Sequence, residues 1–350
     1  MGNGGPLVRI ALRNLSLFLV AFLITSSIIA WAQWSTTRYQ LEDSYVSMLK
    51  LIERTPGLQE RAKESGMSYE EYAWYLVYKS LNIRPGYFET LKVYYGYVWD
   101  AVRGKTERWG NLWDYVKNTT SIFLLAEVST LIAGLYLGLK AGYNGKKVEK
   151  LVSTLAPFLS AIPSWFIGAI LFLILWDLGY TPDFQMRMQQ ASINGSSDWS
   201  TYFLAYLPPA LTVFLSMVFE YAFIVKNLVA QERIANHVIA DRAKGLPDGR
   251  IRRKILKTAL PQFLTYTTYN LLEVLTAVLV VEIIFNVRGM GYLLLSSFKV
   301  VYKPPDGIYL YLYPQLLIFV SLIMLSLYFI VSTVLEGVYS HLDPRKSGGS

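Results

Sequence analysis

The sequence predicts an all-α membrane protein with six transmembrane helices, both termini cytoplasmic, and a helical extracytoplasmic insertion between the first two helices. Three observations predict it. Of 350 residues, 53% are apolar and the mean hydropathy is +0.32, too hydrophobic for a soluble chain of this length. Six runs approach the ~20 residues that a helix needs to cross about 30 Å of hydrocarbon. Lys and Arg gather in the segments that such a layout leaves on one side.

The first run, Leu15 to Ala32, lies in a charge-free stretch between Arg13 and Arg38. Its rival reading is a secretory signal, with Arg9 and Arg13 before an apolar run ending in AWAQ, but the run is longer than a usual signal core. Asn118 to Leu139 is the second, interrupted only by Glu127, and Leu151 to Trp176 is an uncharged third. Tyr202 to Val225 holds Glu220, Ala259 to Phe285 holds Glu273 and Glu282, and Ile308 to Leu335 is uncharged. Backbone polar groups in lipid must be satisfied within the segment, so these runs read as helices rather than strands.

With the N-terminus inside, the cytoplasmic pieces are residues 1–14, 140–150, 226–257 and the tail after 337. They carry 2, 4, 9 and 2 Lys or Arg, whereas the short outer loops 177–201 and 288–307 carry 1 and 3. Basic residues are retained on the cytoplasmic side, which fixes the orientation. The expected organisation is therefore 1–32 for the N-terminus and first helix, 33–117 for the insertion, 118–337 for the remaining helices with a cytoplasmic loop at 226–258, and 338–350 for the tail. The formal charge of +8 is explained by this topology and calls for no nucleic acid.

The long outer segment reads as folded. Ser68 and Glu71 form a capping box before an aromatic helix, and Pro85 can open another helix through GYFETLKVYYGYVWDAVRG. A small helical cap is the simplest reading; a surface whose rings meet a partner or a ligand is the sharper one. Trp31, Trp34, Trp109 and Trp113 suit the aromatic belt at the membrane surface.

The chemistry available to the chain is narrow. There is no cysteine, and the two histidines, His237 and His341, lie far apart, so no metal site is expected. GYNGKK at 142–147 lacks the spacing and final hydroxyl of an ATP-binding P-loop. Neither a zinc-protease His pair nor a serine nucleophile elbow is present. Any work done against a gradient must be driven by a partner or an ion.

One cytoplasmic stretch, ADRAKGLPDGRIRRKILKTALPQ at 240–262, carries seven Lys or Arg against two Asp. QERIANHVIADRAKGL at 231–246 has helical composition, with Ile234, Val238 and Ala243 expected along one side. Gly245 can take the left-handed position that ends a helix, and Pro247 follows it. A second short helix, about Arg250 to Ala259, is expected to return to the membrane with Pro261 at its entry. Charge alone fits a solvated loop; small residues, a basic pair and glycine between two short helices fit a docking surface.

At this point the chain resembles a family, the inner-membrane permease subunits of ABC importers in the dipeptide, oligopeptide and nickel branch. ADRAKGL with LKTALPQFLT resembles that branch's EAA motif, whose coupling helix fits a groove on the ATPase subunit. VEIIFNVRGMGYLL (281–294), SAIPSWFIGAILF (160–172) and EGVYSHLDPR (336–345) are similar to three further family patterns, in the expected order. The resemblance implies a homologous second permease, two ATP-binding subunits that hold ATP and Mg, and an extracytoplasmic substrate-binding protein. This chain would bind no cofactor, and its remaining contact would be membrane lipid. Asp241, Arg242, Ala243, Lys244, Gly245 and Leu246 are the implied coupling residues, although Asp241 stands where the family usually has a small residue. The family's G-D-x-G before the second helix is not evident, and residues 39–80 look added.

Carboxylates within spans are costly and usually face an interior or a cavity. Glu127, Glu220 and Glu273 are candidates for the translocation path, with structural pairing across the bundle as the rival reading for the first two. Glu282 falls in a family motif and reads as structural, and nine residues place it about 180° around the helix from Glu273. The expected function is thus a transport subunit without catalytic residues, carrying short peptides, with oligosaccharides as the second choice of ligand. A carrier or channel working alone and a membrane enzyme are the rival classes.

Overall fold

A computed structural model describes residues 6–38, 41–81, 83–105, 110–143, 145–195, 198–303 and 307–342. It is an all-α membrane architecture apart from one short hairpin. The helices are α1 (Pro6–Arg38), α2 (Leu41–Arg54), α3 (Pro56–Glu64), α4 (Tyr69–Leu81), α5 (Tyr87–Val102), α6 (Leu112–Tyr143), α7 (Lys146–Ser160), α8 (Ser164–Asp177), α9 (Phe184–Ile193) and α10 (Trp199–Arg233). They continue as α11 (Asn236–Ala243), α12 (Asp248–Ile284) and α13 (Met290–Ser296), then strands β1 (Phe298–Lys303) and β2 (Gly307–Leu312), and α14 (Pro314–Leu342). Among the described residues five helices (α1, α6, α10, α12 and α14) are long and apolar enough to span a membrane, and the bent pair α7 and α8 makes a sixth.

Two expectations about the spans need correction. The third is not one helix: α7 and α8 meet at 101° across a three-residue break. Pro163 lacks an amide hydrogen and drives the residue before it out of the helical region, so the apolar run is long enough to cross but cannot do so straight. The sixth starts at Pro314, and Ile308 lies in β2, paired with Tyr302 of β1 in an antiparallel register. GIYLYL has the hydropathy of a helix start and the composition of a strand, and length alone could not separate the two.

The chain forms two compact units. The larger comprises residues 1–18, 113–293 and 323–350, and α10 is its axis. Ala205, Val213, Met217, Tyr221, Val225 and Val229 of α10 are buried with Phe263, Leu271 and Val278 of α12 and Phe123 of α6. Glycines let α6 approach α10 closely. An added Cβ would lie 2.7 Å from Tyr221 Cβ at Gly134, 2.4 Å from Val225 Cβ at Gly138 and 2.7 Å from the Lys226 carbonyl at Gly142. This G-x-x-x-G-x-x-x-G face is the small-residue packing that membranes favour, where close van der Waals contact replaces the hydrophobic driving force. At one end of this unit Glu336 of α14 accepts hydrogen bonds from Arg13 and Asn14 of α1.

The smaller unit comprises residues 19–112 and 294–322. Within it α2, α3 and α4 close on Ile52, Ala62, Tyr72 and Ala73. The capping box is formed as expected: the Ser68 amide donates to Glu71 Oε2 at 2.9 Å and the Glu71 amide to Ser68 Oγ at 3.2 Å. Those bonds hold the Glu71 carboxyl below its ordinary value. Trp31 and Trp113 are exposed, whereas Trp109 lies outside the described residues.

Candidate functional site: the loop helix and the intramembrane acids

The sequence between α10 and α12 folds into the short helix α11, and its end is fixed by backbone geometry. Gly245 has φ +75°, its amide bonds to the Arg242 carbonyl at 2.9 Å, and the Leu246 amide bonds to the Asp241 carbonyl at 3.1 Å. That pair of bonds is the Schellman closure, and it requires a left-handed residue at position 245. The helix preceding it differs from expectation. The chain breaks at Ile234 and Ala235, so Ile234 stands exposed outside α11, while Val238 is buried and Ala243 is exposed. Five residues separate Val238 from Ala243, about 140° around a helix, so they cannot share a side.

The inward side of α11 is anchored twice. Val238 packs with Ile251 and Ile255, and buried Asp241 accepts a hydrogen bond from Lys254 Nζ at 2.6 Å. The Lys254 ammonium holds the Asp241 carboxyl below its usual range. Leu246 also turns toward the core. Arg242, Ala243, Lys244 and Gly245 are exposed together, and Ile239 joins them one turn before Ala243. The six residues taken as a coupling set thus divide into four that face out and two that hold the helix. The neighbouring ends are tied as well: Tyr143 OH donates to Asp248 Oδ1 at 3.0 Å, the Tyr143 carbonyl accepts from Arg233, and Arg252 lies over the Tyr143 ring.

The expected second loop helix is instead the start of α12, which runs unbroken through Pro261 for 37 residues. Proline removes one donor, which takes from the Lys257 carbonyl its usual backbone partner, and such breaks are tolerated in a membrane span where neighbouring groups re-satisfy the backbone.

Of the intramembrane acids, Glu127 is buried and its Oε1 lies 3.4 Å from the Tyr221 hydroxyl that donates to it. Glu220 joins three helices, accepting from Tyr266 OH at 2.5 Å and Ser160 Oγ at 3.1 Å. Tyr221 and Tyr266 meet edge to face at 5.4 Å. Their hydroxyls are the partners that a search for acids alone misses, though both tyrosines lie inside the apolar runs near glutamates. Glu273 is exposed on α12, on the same face as Gln262, Thr265, Tyr269 and Thr276. These recur at steps of three and four residues, a single polar stripe along a membrane helix.

Glu282 is fully buried, as its 180° offset from Glu273 requires. Its Oε2 accepts the Gly291 amide at 2.7 Å, and the turn around it gathers several elements. The Met290 amide donates to Thr119 Oγ1 at 2.8 Å, Asn118 Nδ2 to the Arg288 carbonyl at 2.9 Å, and Asn286, at φ +53°, to Asp183 at 3.0 Å. Among the described residues no three His, Asp or Glu converge as a metal ligand set.

Residues 132–348 match the model of the family described as "Binding-protein-dependent transport system inner membrane component". The chain belongs to that family. This permease is 21% identical over 234 residues to the metal-staphylopine import system permease protein CntB of Staphylococcus aureus (strain NCTC 8325 / PS 47), covering 67% of this chain and 68% of the relative. It is 23% identical over 188 residues to the nickel import system permease protein NikB of S. aureus (strain USA300), covering 52% of each. The family match begins inside α6 and takes in the bent pair, α11, α12 and the Glu282 turn. The insertion precedes it. As a member, the permease is an inner-membrane transport subunit of an ABC importer, and such subunits are not themselves enzymes. In the motif at 336–345, Glu336 is the group bound by Arg13, while Asp343, Pro344 and Arg345 lie outside the described residues.

Proposed function

We propose that this permease forms half of a translocation path for short peptides delivered by a substrate-binding protein. It pairs with a homologous permease and is driven by two ATPase subunits beneath it. The observation that carries the reading is the polar stripe of α12. Gln262, Thr265, Tyr269, Glu273 and Thr276 are left uncovered by this chain at the depth of a membrane span, where polar groups facing lipid would be costly. A second permease presenting a similar face would enclose a hydrated path. Glu273 supplies a carboxylate there for a cationic amino group, and the hydroxyls supply partners for amides.

The exposed set Ile239, Arg242, Ala243, Lys244 and Gly245 is the surface offered to the ATPase, with the N-terminus, α11 and the tail cytoplasmic. Movement of the ATPase pair would reach the path through α12, since α11 is fastened to its first turns. Alternating access needs such a bundle with two stable arrangements.

A second reading, uptake of a metal ion or metal complex, is favoured by the names of the relatives. A saccharide is less well supported. In the insertion Tyr45 and Trp74 stack at 4.4 Å and Trp74 and Tyr78 at 5.5 Å, so these rings already occupy one another's faces. The deciding experiment measures ATP hydrolysis by the reconstituted complex with its loaded binding protein. Stimulation by di- or oligopeptides supports the first reading; stimulation by nickel or a chelated metal and not by peptides overturns it.

A further inference from the structure

We infer that this chain's half of the path selects cations: Glu220 stands beside Glu273 as a second carboxylate on the open groove, and the pair favours solutes of net positive charge. The inference rests on the polar stripe of α12 being the path, and it holds whether the solute is a basic peptide or a metal ion. The first observation is the charge balance at membrane depth. Between Lys117 and Lys140, Lys150 and Arg187, Arg187 and Lys226, and Lys257 and Arg288 the sequence contains no Lys, Arg or His, and α14 has none before His341. The acids in those intervals are Asp177, Asp183 and Asp198, at the outer ends of α8, α9 and α10, and Glu127, Glu220, Glu273 and Glu282 within the spans. Glu127 and Glu282 are enclosed by the bundle, which leaves Glu220 and Glu273 for the groove.

The second observation places those two together. Tyr266 OH donates to Glu220 Oε1 at 2.5 Å, and Glu273 follows Tyr266 by seven residues on α12, within about 20° and at about 10 Å of rise. Tyr266 is half-buried and borders the stripe, so Glu220 of α10 comes to its edge. The two carboxylates are near enough for their charges to interact. Ser160, which donates to Glu220 Oε2 at 3.1 Å, is exposed. Both carboxylate oxygens thus accept from hydroxyls, as in the ionised group, and neither donor brings a positive charge. Among the described residues neither glutamate has a Lys, Arg or His in an ion pair with it. Lys226, the nearest base along α10, lies six residues on and about 120° around the helix, with its Nζ bound to Ser153 of α7 at 2.9 Å. Ionisable groups at this depth mark ion and substrate routes. A cleft lined by one sign of charge between low-dielectric walls raises the local concentration of the opposite ion roughly 10- to 1,000-fold.

The sequence has no cysteine, so one introduced thiol reports on the groove alone when the partner subunits are also cysteine-free. Tyr269→Cys, on the stripe between the two acids, would be reacted in the assembled complex in nanodiscs with a trimethylammonium methanethiosulfonate and with its sulfonate counterpart. The ratio of the two rates, divided by the same ratio for free mercaptoethanol, should be about tenfold or more. Glu220→Gln should lower it severalfold, whereas Ser160→Ala, which removes a donor and keeps the carboxylate, should leave it in place. A thiol that neither reagent reaches would remove the path reading itself, and this inference with it. A reactive thiol without charge preference leaves the path standing and overturns the inference, as does a preference that Glu220→Gln leaves intact. A loss in Ser160→Ala as large as in Glu220→Gln also overturns it, since the bonds and not the charge would then be responsible. The preference of the parent is read with both acids in place, so it remains a test even where Glu220→Gln does not assemble.

Discussion

Glu282 and Gly291 form a closed pair: the buried carboxylate accepts the glycine amide at 2.7 Å, and a Cβ on Gly291 would lie 2.0 Å from the Leu279 carbonyl. At Gly289 an added Cβ would sit 2.3 Å from Glu282 Oε1. The spacing of acid and glycines in VEIIFNVRGMGYLL is therefore a fit between one carboxylate and two missing side chains. Gly291→Ala should be the harsher change, because the atom met is backbone, which cannot rotate away. Glu282→Ala leaves a buried amide unpaired at about 1–3 kcal/mol. Thermal melts in detergent should rank Gly291→Ala below Gly289→Ala, and Glu282→Gln close to wild type.

The glycine face of α6 makes a prediction of different character, since the nearest atom at Gly134 and at Gly138 belongs to a side chain that can be trimmed. Gly138→Ala places a methyl 2.4 Å from Val225 Cβ and 2.6 Å from the Ala222 carbonyl, an overpacking expected to cost about 1–3 kcal/mol. Val225→Ala in the same chain should recover only part of that, because the carbonyl stays in place. Full recovery would show that α6 and α10 are less rigidly apposed than the contact implies.

The fold was legible where the signal is long. Long apolar runs located the spans because 20 such residues have few soluble alternatives, and the capping box and Gly245 announced helix ends through their own chemistry. What stayed hidden depends on partners distant in sequence. Pro163 was visible, but whether it bends or merely opens a helix depends on what packs around it. Pro261 posed the same question and received the opposite answer, as α12 runs straight through. Asp241 looked like a departure from the family pattern, and its reason, Lys254, is thirteen residues away on another helix. Tyr221 and Tyr266 could not be joined to Glu127 and Glu220 without knowing which helices touch.

The Asp241–Lys254 bond fastens α11 to α12 at the point where an ATPase movement would enter. Asp241→Asn and Lys254→Ala should each reduce solute moved per ATP hydrolysed, about fivefold or more for a coupling of this kind, while assembly is retained. The exchange Asp241→Lys with Lys254→Asp should restore part of the loss. The lowered Asp241 value sets the pH dependence. Its stabilisation is complete above the ordinary Asp value of about 3.9 and disappears as pH falls through the lowered one, so coupling should be flat from about pH 8 to 5. A loss of coupling in that range that Asp241→Asn abolishes would refute the assignment.

Gly245 separates shape from contact. An added Cβ meets nothing within 4 Å, so Gly245→Ala suffers only the left-handed backbone, about 1–2 kcal/mol. Gly245→Asp adds a charge on the exposed face of α11 proposed to meet the ATPase. Membrane insertion should be normal in both, with uptake reduced by the first and uncoupled from ATP hydrolysis by the second. Unchanged uptake in Gly245→Asp would remove α11 from the coupling surface.

Glu127 and Glu273 should respond to substitution in opposite ways, because one is enclosed and the other faces away from its own chain. Glu127 is buried against the Tyr221 hydroxyl between α6 and α10, so Glu127→Ala opens a cavity and strands that hydroxyl, lowering the melting temperature whether or not ligand is present. Glu273 has no such enclosure, and Glu273→Gln keeps its size. The melt of the isolated chain should be unchanged, and the rate of uptake by the assembled complex should fall most for solutes carrying a free amino group. If a peptide blocked at its amino end were transported equally well by both forms while uptake of the free peptide dropped, the carboxylate would be meeting the cation directly. An equal loss for both peptides would mean that Glu273 instead joins the two permease halves.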